Sequence, residues 1–383
     1  MKVSRQLLAI DRARRRTTAT SAERRVLWSV AGLVAHCFVL AGCAPAPLIP
    51  YSEATPPLVL APAAQAGIKD DRGRFREIFC AVLQARHHEL PDYRDCEEAL
   101  TRVGEEPEAS GAPVDLGPSR RGLIAAVVPG VGWDCISEWL QPAGAVAEHL
   151  RRFGYDQITL EIDALSSSSV NARRVRDALL EMQSSPASPE VVLIGYSKGA
   201  PDVLQAVVDY PEIRDRLAAV VSIGGAVGGS PLANRATQSE LELLQHFPSA
   251  DCELGDRGAL ESLKPTPRHA WLAHSPLPPE VRYYSIVTFP DPEQISRILR
   301  RSYRQLSQVD SRNDSQLIFY DQLIPGSTLA AYLNADHWAI AVPIARSHAR
   351  VGRWLVDHNA YPREALVEAL LRYLEEQLAE AHD

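Results

Sequence analysis

Residues 191–200 read VVLIGYSKGA: four apolar residues run into a serine, Ser197, held between Gly195 and Gly199. A short, continuously apolar run is the pattern of a strand buried on both faces. G-x-S-x-G at its end marks a strained strand-to-helix turn, where flanking residues without β-carbons let strand and helix approach. Such a turn leaves the hydroxyl exposed at the carboxyl edge of a sheet, where ligands bind in open α/β folds. The helix that follows aims its N-terminal amides at that spot, which suits developing negative charge. Pro201 fits a first helical turn, whose amide has no partner to lose. The other reading is a tight turn that happens to contain a serine, and the surrounding chain decides between the two.

From residue 121 onward that chain alternates. Apolar, β-rich runs occur at 123–128 (LIAAVV), 157–162 (QITLEI), 191–195 (VVLIG), 218–223 (AAVVSI), 282–287 (RYYSIV) and 328–333 (TLAAYL). Helical stretches such as GAVAEHLRRFG, NARRVRDALLEMQ and PDVLQAVVDY lie between them. Strands alternating with helices predict an α/β fold: a mostly parallel sheet with helices on both faces. At the end, Leu366, Leu370, Leu374 and Leu378 form one stripe of a docking helix. Residues 71–117 are expected to form a small N-terminal helical hairpin, with two helices over 74–103 broken at Pro91, and 118–383 the main domain.

The first 42 residues are of another kind. Eight basic residues precede the 16-residue apolar run VLWSVAGLVAHCFVLA at 26–41. That order is the pattern of an export signal, and the run is shorter than the roughly 20 residues that span a bilayer core. Leu40-Ala41-Gly42-Cys43 resembles the bacterial lipobox, which implies lipidation of Cys43 as the mature N-terminus. The Pro/Ala-rich stretch within 43–70 reads as a tether. The expected place is the cell envelope, lipid-anchored to the membrane and facing the periplasm or the exterior. Removing residues 1–42 takes eight of 40 basic and two of 48 acidic residues, leaving a mature charge of −14. An acidic chain without a basic patch excludes nucleic acid as a partner, and should not lie flat on an anionic membrane.

Beyond Cys37 and Cys43 the chain has Cys80, Cys96, Cys135 and Cys252. Four cysteines in an exported protein suggest two disulfides, with three pairings possible. Cys80 and Cys96 share one short segment, which favours Cys80–Cys96 with Cys135–Cys252. A metal site is the alternative, but no CxxC or HExxH spacing supports it.

Over roughly residues 121–358 the chain resembles the α/β-hydrolase superfamily, in particular its bacterial lipases. Four motifs carry the resemblance: GYSKG at 195–199, VVPGVGWD at 127–134, SIGGAVGGSPLAN at 222–234, and the pair SRNDSQL (311–317) and NADHW (334–338). It departs from the family at Pro129, where a His is usual, at Ser315, where Gly is usual, and in the segment 222–234, which lacks the usual Pro-His pair. The resemblance implies the α/β-hydrolase fold, a nucleophile at Ser197, an acid at Asp314 and a base at His337, in the chain order this fold requires. It also implies an oxyanion hole from the amides of Val131 and Lys198.

The chemistry agrees. A serine hydroxyl is a poor nucleophile until an imidazole takes its proton, and the imidazole needs a carboxylate to fix its tautomer. Among eleven histidines, His337 alone follows a predicted strand into a loop at the edge where Ser197 lies. For the acid, Asp291 and Asp321 remain alternatives to Asp314, while Asp336 is too close in sequence to reach its neighbour. Lys198 is expected as a rim or surface charge, because adjacent side chains point apart. Trp133, Trp139 and Trp338 flank the predicted site, and 231–280 is a cap-like insertion between strands.

The expected function is hydrolysis of carboxylic esters, lipid or other acyl, by an exported serine hydrolase that needs no cofactor. The rival is a non-catalytic lipoprotein that keeps the fold as a binding scaffold, which the missing His and the altered acid loop would suit.

Overall fold

The computed structural model of the protein describes residues 67–138, 145–182, 190–246 and 252–380. The expected signal, Cys43, most of the tether and Trp139 lie outside the described residues. Among the described residues no helix is long and apolar enough to cross a membrane.

Seven strands form one sheet: β1 (Lys69–Asp70), β2 (Ile124–Val128), β3 (Asp156–Thr159), β4 (Val191–Tyr196), β5 (Leu217–Ile223), β6 (Tyr283–Thr288) and β7 (Thr328–Leu333). Their order across the sheet is β1-β7-β6-β5-β4-β2-β3, and every pairing is parallel. The α/β-hydrolase fold anticipated above is therefore present. The run QITLEI ends early, at Thr159, because only its first part pairs with β2.

Strand alternation divides the core into two layers. On β4, Val192, Ile194 and Tyr196 face one layer with helices α1 (Arg72–Arg86), α2 (Ala145–Arg151) and α6 (Arg363–Glu380). Val191 and Leu193 face the other, with α3 (Ser168–Met182) and α4 (Gly199–Asp209). The helix α5 (Pro265–His274) adds Trp271 and Leu272 to that second layer. Leu366, Leu370, Leu374 and Leu378 of α6 are buried as the stripe requires, but so are Ala365, Ala369, Leu371 and Tyr373. This helix is enclosed on most of its circumference rather than docked by one face.

Two expectations for the N-terminal region need correction. The tether does not reach residue 70, because Lys69 and Asp70 pair with Thr328 and Leu329 as an edge strand. Nor do 71–117 form a hairpin of their own. Helix α1 buries Phe75, Ile78, Phe79, Val82 and Leu83 in the layer it shares with α6. Arg74 makes a two-pronged ion pair with Glu376 at 2.6 Å per arm, and Phe75 meets the Tyr373 ring edge-on. The second expected helix is a single turn, Cys96–Ala99. Both favoured disulfides, Cys80–Cys96 and Cys135–Cys252, are formed.

Candidate active site

Ser197 sits one residue past the end of β4 with a φ of 54°, in the left-handed region that costs a non-glycine residue energy. Its flanking glycines are sterically required. A β-carbon on Gly199 would overlap the carbonyl oxygen of Val128, and one on Gly195 would overlap the Cα of Ala200. The turn is anchored through the Ser197 amide, which donates to Gly224 O at 3.2 Å, and its carbonyl, which accepts from Ala226 N at 2.8 Å.

His337 arrives from the loop after β7, and Asp314 from the loop bridged by Asn313 and Ile318. Their side chains meet Ser197 in one line. His337 Nε2 lies 2.9 Å from Ser197 Oγ, and His337 Nδ1 lies 2.7 Å from Asp314 Oδ2. A carboxylate only accepts, so Nδ1 carries the proton and Nε2 presents its lone pair to the hydroxyl. Asp314 is fully buried, and its charge is met on every side. Oδ1 accepts from the amides of Gln316 (2.9 Å) and Leu317 (2.7 Å), and Oδ2 from the Thr288 hydroxyl at 2.6 Å as well as from His337. A carboxylate with four donors on its two oxygens is held in one orientation, aimed at the imidazole.

The rival acids are occupied elsewhere. Asp291, at the exposed end of the loop after β6, exchanges hydrogen bonds with Asn334. Asp321 is buried 3.5 Å from His269 Nε2, and burial raises its pKa. Asp336 holds the turn that carries His337 by accepting from the amides of Ser296, Trp338 and Ala339.

Two residues that the sequence reading did not single out support the histidine. Tyr196 donates its hydroxyl proton to His337 O at 2.7 Å, and its ring stacks against the imidazole at 5.1 Å. Thr288, the last residue of β6, clamps Asp314 as described. A tyrosine one residue before Ser197 at the end of a buried strand was a readable sign; a threonine ending β6 was not.

Lys198 is where the expectation fails. It is no rim charge but fully buried, with Nζ at 2.9 and 2.8 Å from the two oxygens of Asp202. Asn171 donates to the same carboxylate at 2.8 Å. The side chain does point away from Ser197, but into the protein: one helical turn brings Asp202 under it. Nearby Arg268 is also buried, donates to Val227 O, and has its pKa lowered to about 10 by burial.

A cavity of about 230 Å³ opens beside Ser197 and His337. Its wall is mostly apolar, with Trp133, Trp338 and Leu317 on the fold side. The expected insertion supplies Leu232, Leu241 and Leu263. At the opposite lip the loop after β2 comes so close that a β-carbon on Gly130 would lie 3.2 Å from Ser197 Oγ. Val131 lines the cavity next to it. Neither the Val131 nor the Lys198 amide donates to another group among the described residues. Cys135–Cys252 ties the turn after this loop to the insertion.

Among solved structures, the chain is similar to a metagenomic carboxyl esterase: 38% identity over 87% of this chain and 100% of that one, with a TM-score of 0.77. A mature-form lipase of Bacillus licheniformis is 18% identical over 63% of this chain and 95% of its own, at a TM-score of 0.48. A thioesterase of prodiginine biosynthesis in Streptomyces coelicolor is 16% identical over 64% and 96%, at 0.34. Likeness as faint as the last two carries no weight for activity. No protein-family model and no curated protein matches the chain.

Proposed function

The chain belongs to the α/β-hydrolase superfamily and is an esterase-type serine hydrolase, and from that premise we propose that it cleaves carboxylic esters through Ser197, His337 and Asp314. The observation that carries the reading is the unbroken line Asp314–His337–Ser197, at 2.7 and 2.9 Å, beneath an apolar cavity.

In this mechanism Ser197 Oγ attacks the ester carbonyl while its proton passes to His337 Nε2. Asp314 stabilises the imidazolium without taking the proton. The negative oxygen that forms is held by the amides of Val131 and Lys198, a role supported by the close approach of Gly130 and by the lack of other partners for both amides. Return of the proton to the alcohol breaks the ester bond and leaves Ser197 acylated. Water, activated by the same imidazole, releases the acid.

The cavity is smaller than most ligand pockets and mostly apolar, which suits a short acyl chain rather than a long one. The substrate is thus a small-molecule or lipid ester with a modest acyl group. Turnover of an ester series of increasing acyl length should peak among the short esters; a peak among the long-chain esters would refute this assignment of the cavity.

Export and anchoring are part of the same proposal. The basic stretch, the apolar run and the Cys43 motif support a lipidated envelope protein, and two disulfides suit an oxidising compartment. Mass spectrometry of the mature protein should find residue 43 as a lipidated N-terminus, and an unmodified start elsewhere would refute it.

A further inference from the structure

Six large apolar residues among those described stand well exposed, and three of them are adjacent. Trp354 is 67% exposed, Leu355 45% and Ile298 45%, and the Ile298 amide donates to Leu355 O at 3.0 Å. The core does not need them. Leu299 and Val356, their chain neighbours, already fill it, and the short helix Ala349–Trp354 packs through Gly352, where a β-carbon would crowd Ala345.

The two stretches that carry the trio are basic. Arg297, Arg300, Arg301 and Arg304 lie on one stretch and Arg350 and Arg353 on the other, all exposed. Over 291–304 and 349–357 these six arginines face three carboxylates, Asp291, Glu293 and Asp357, in a chain whose net charge is −8. Only Arg297 is paired with one of them, Asp357 at 3.1 Å. Arg350 and Trp354 are one helical turn apart on one side of their helix. Arg301 follows Ile298 at a similar spacing. An indole and two aliphatic side chains on stretches rich in exposed cations match the interfacial zone of an anionic bilayer: the rings and chains enter among the acyl groups and the guanidinium groups stay with the phosphates.

We propose that the Ile298–Trp354–Leu355 face, with the arginines of its two stretches, is a docking surface for an anionic lipid bilayer. The acidity of the chain as a whole pointed the other way, but the local surplus decides at contact range, because screening confines each charge to about 10 Å. A second copy is the poorer occupant, since a two-fold contact would set the same arginines against each other.

The test uses the full chain with vesicles of phosphatidylglycerol and phosphatidylcholine, or of phosphatidylcholine alone, carrying acyl-brominated lipid that quenches tryptophan on contact. The apolar run 26–41 can itself hold the chain to vesicles, so the readout is Trp354 and not co-sedimentation. Subtracting the signal of Trp354→Phe isolates that residue. On anionic vesicles the Trp354 signal should fall by at least half, and the loss should shrink several-fold with phosphatidylcholine alone or in the triple variant Arg301→Glu/Arg350→Glu/Arg353→Glu. A subtracted Trp354 signal that anionic vesicles leave unquenched overturns the proposal, as does quenching of Trp354 that ignores lipid charge. A concentration-dependent dimer lost on Trp354→Asp, with Trp354 unquenched by lipid, would assign the face to a second copy instead. None of these readouts depends on esterase activity.

Discussion

The hydroxyl of Tyr196 and the main-chain carbonyl of His337 are joined by a 2.7 Å hydrogen bond, although the two residues are 141 apart in sequence. The tyrosine is the residue before Ser197, so one strand end both presents the hydroxyl and holds the loop that brings the imidazole to it. Tyr196→Phe keeps the ring contact and removes the bond. A buried hydrogen bond of this sort is worth about 1 kcal/mol, and loss of aim in the imidazole adds to that. The expected result is a fall in kcat of about tenfold with KM little changed. An unchanged kcat would make the bond purely structural.

Asp314→Asn should reduce turnover by about 10⁴, since the amide would favour the wrong histidine tautomer. Asp291→Asn and Asp321→Asn should cost less than about tenfold, because neither side chain bonds His337. Steady-state kinetics at matched thermal stability checks this. A larger loss from Asp291→Asn would move the acid to the loop directly after β6.

Lys198 and Asp202 are both fully buried, so Lys198→Met should leave an uncompensated carboxylate and cost about 3–5 kcal/mol. The double variant Lys198→Met/Asp202→Leu should regain much of it. Urea denaturation measures both. A single variant within about 1 kcal/mol of wild type would be the behaviour of a surface lysine and would contradict the burial.

Much of the architecture was legible because its strands are buried on both faces. Val191–Tyr196 and Thr328–Leu333 announce themselves as unbroken apolar runs. Lys69–Asp70 could not be read that way: two charged residues at a sheet edge are a strand only because Thr328 and Leu329 are beside them. Helix α1 looked self-contained because Cys80 and Cys96 are close in sequence, whereas its packing partner, α6, comes some 300 residues later. In the site, Ser197 was fixed by its glycines, but the clamp from Thr288 depends on where β6 ends in space. Lys198 was misplaced because side chains of adjacent residues diverge, which says nothing about whether the diverging direction leads to solvent.

Ser315 stands in the acid loop at a φ of 82°, fully buried, with a hydroxyl that has no hydrogen-bond partner. Ser315→Gly relieves the left-handed backbone and removes the orphan oxygen. The flexibility that glycine adds to the unfolded chain offsets part of this. A net gain of about 1 kcal/mol is expected, read as a rise in Tm with activity retained. A lower Tm would mean that the hydroxyl has a partner in solution.

Labelling with a fluorophosphonate reads out whether Ser197 is an activated nucleophile. The reagent bonds covalently only to a serine whose proton is being withdrawn. Intact-mass analysis of the folded protein should show a single adduct, peptide mapping should place it on Ser197, and Ser197→Ala should show none. Folded wild-type protein that takes up no label, or takes it on another serine, would contradict the account.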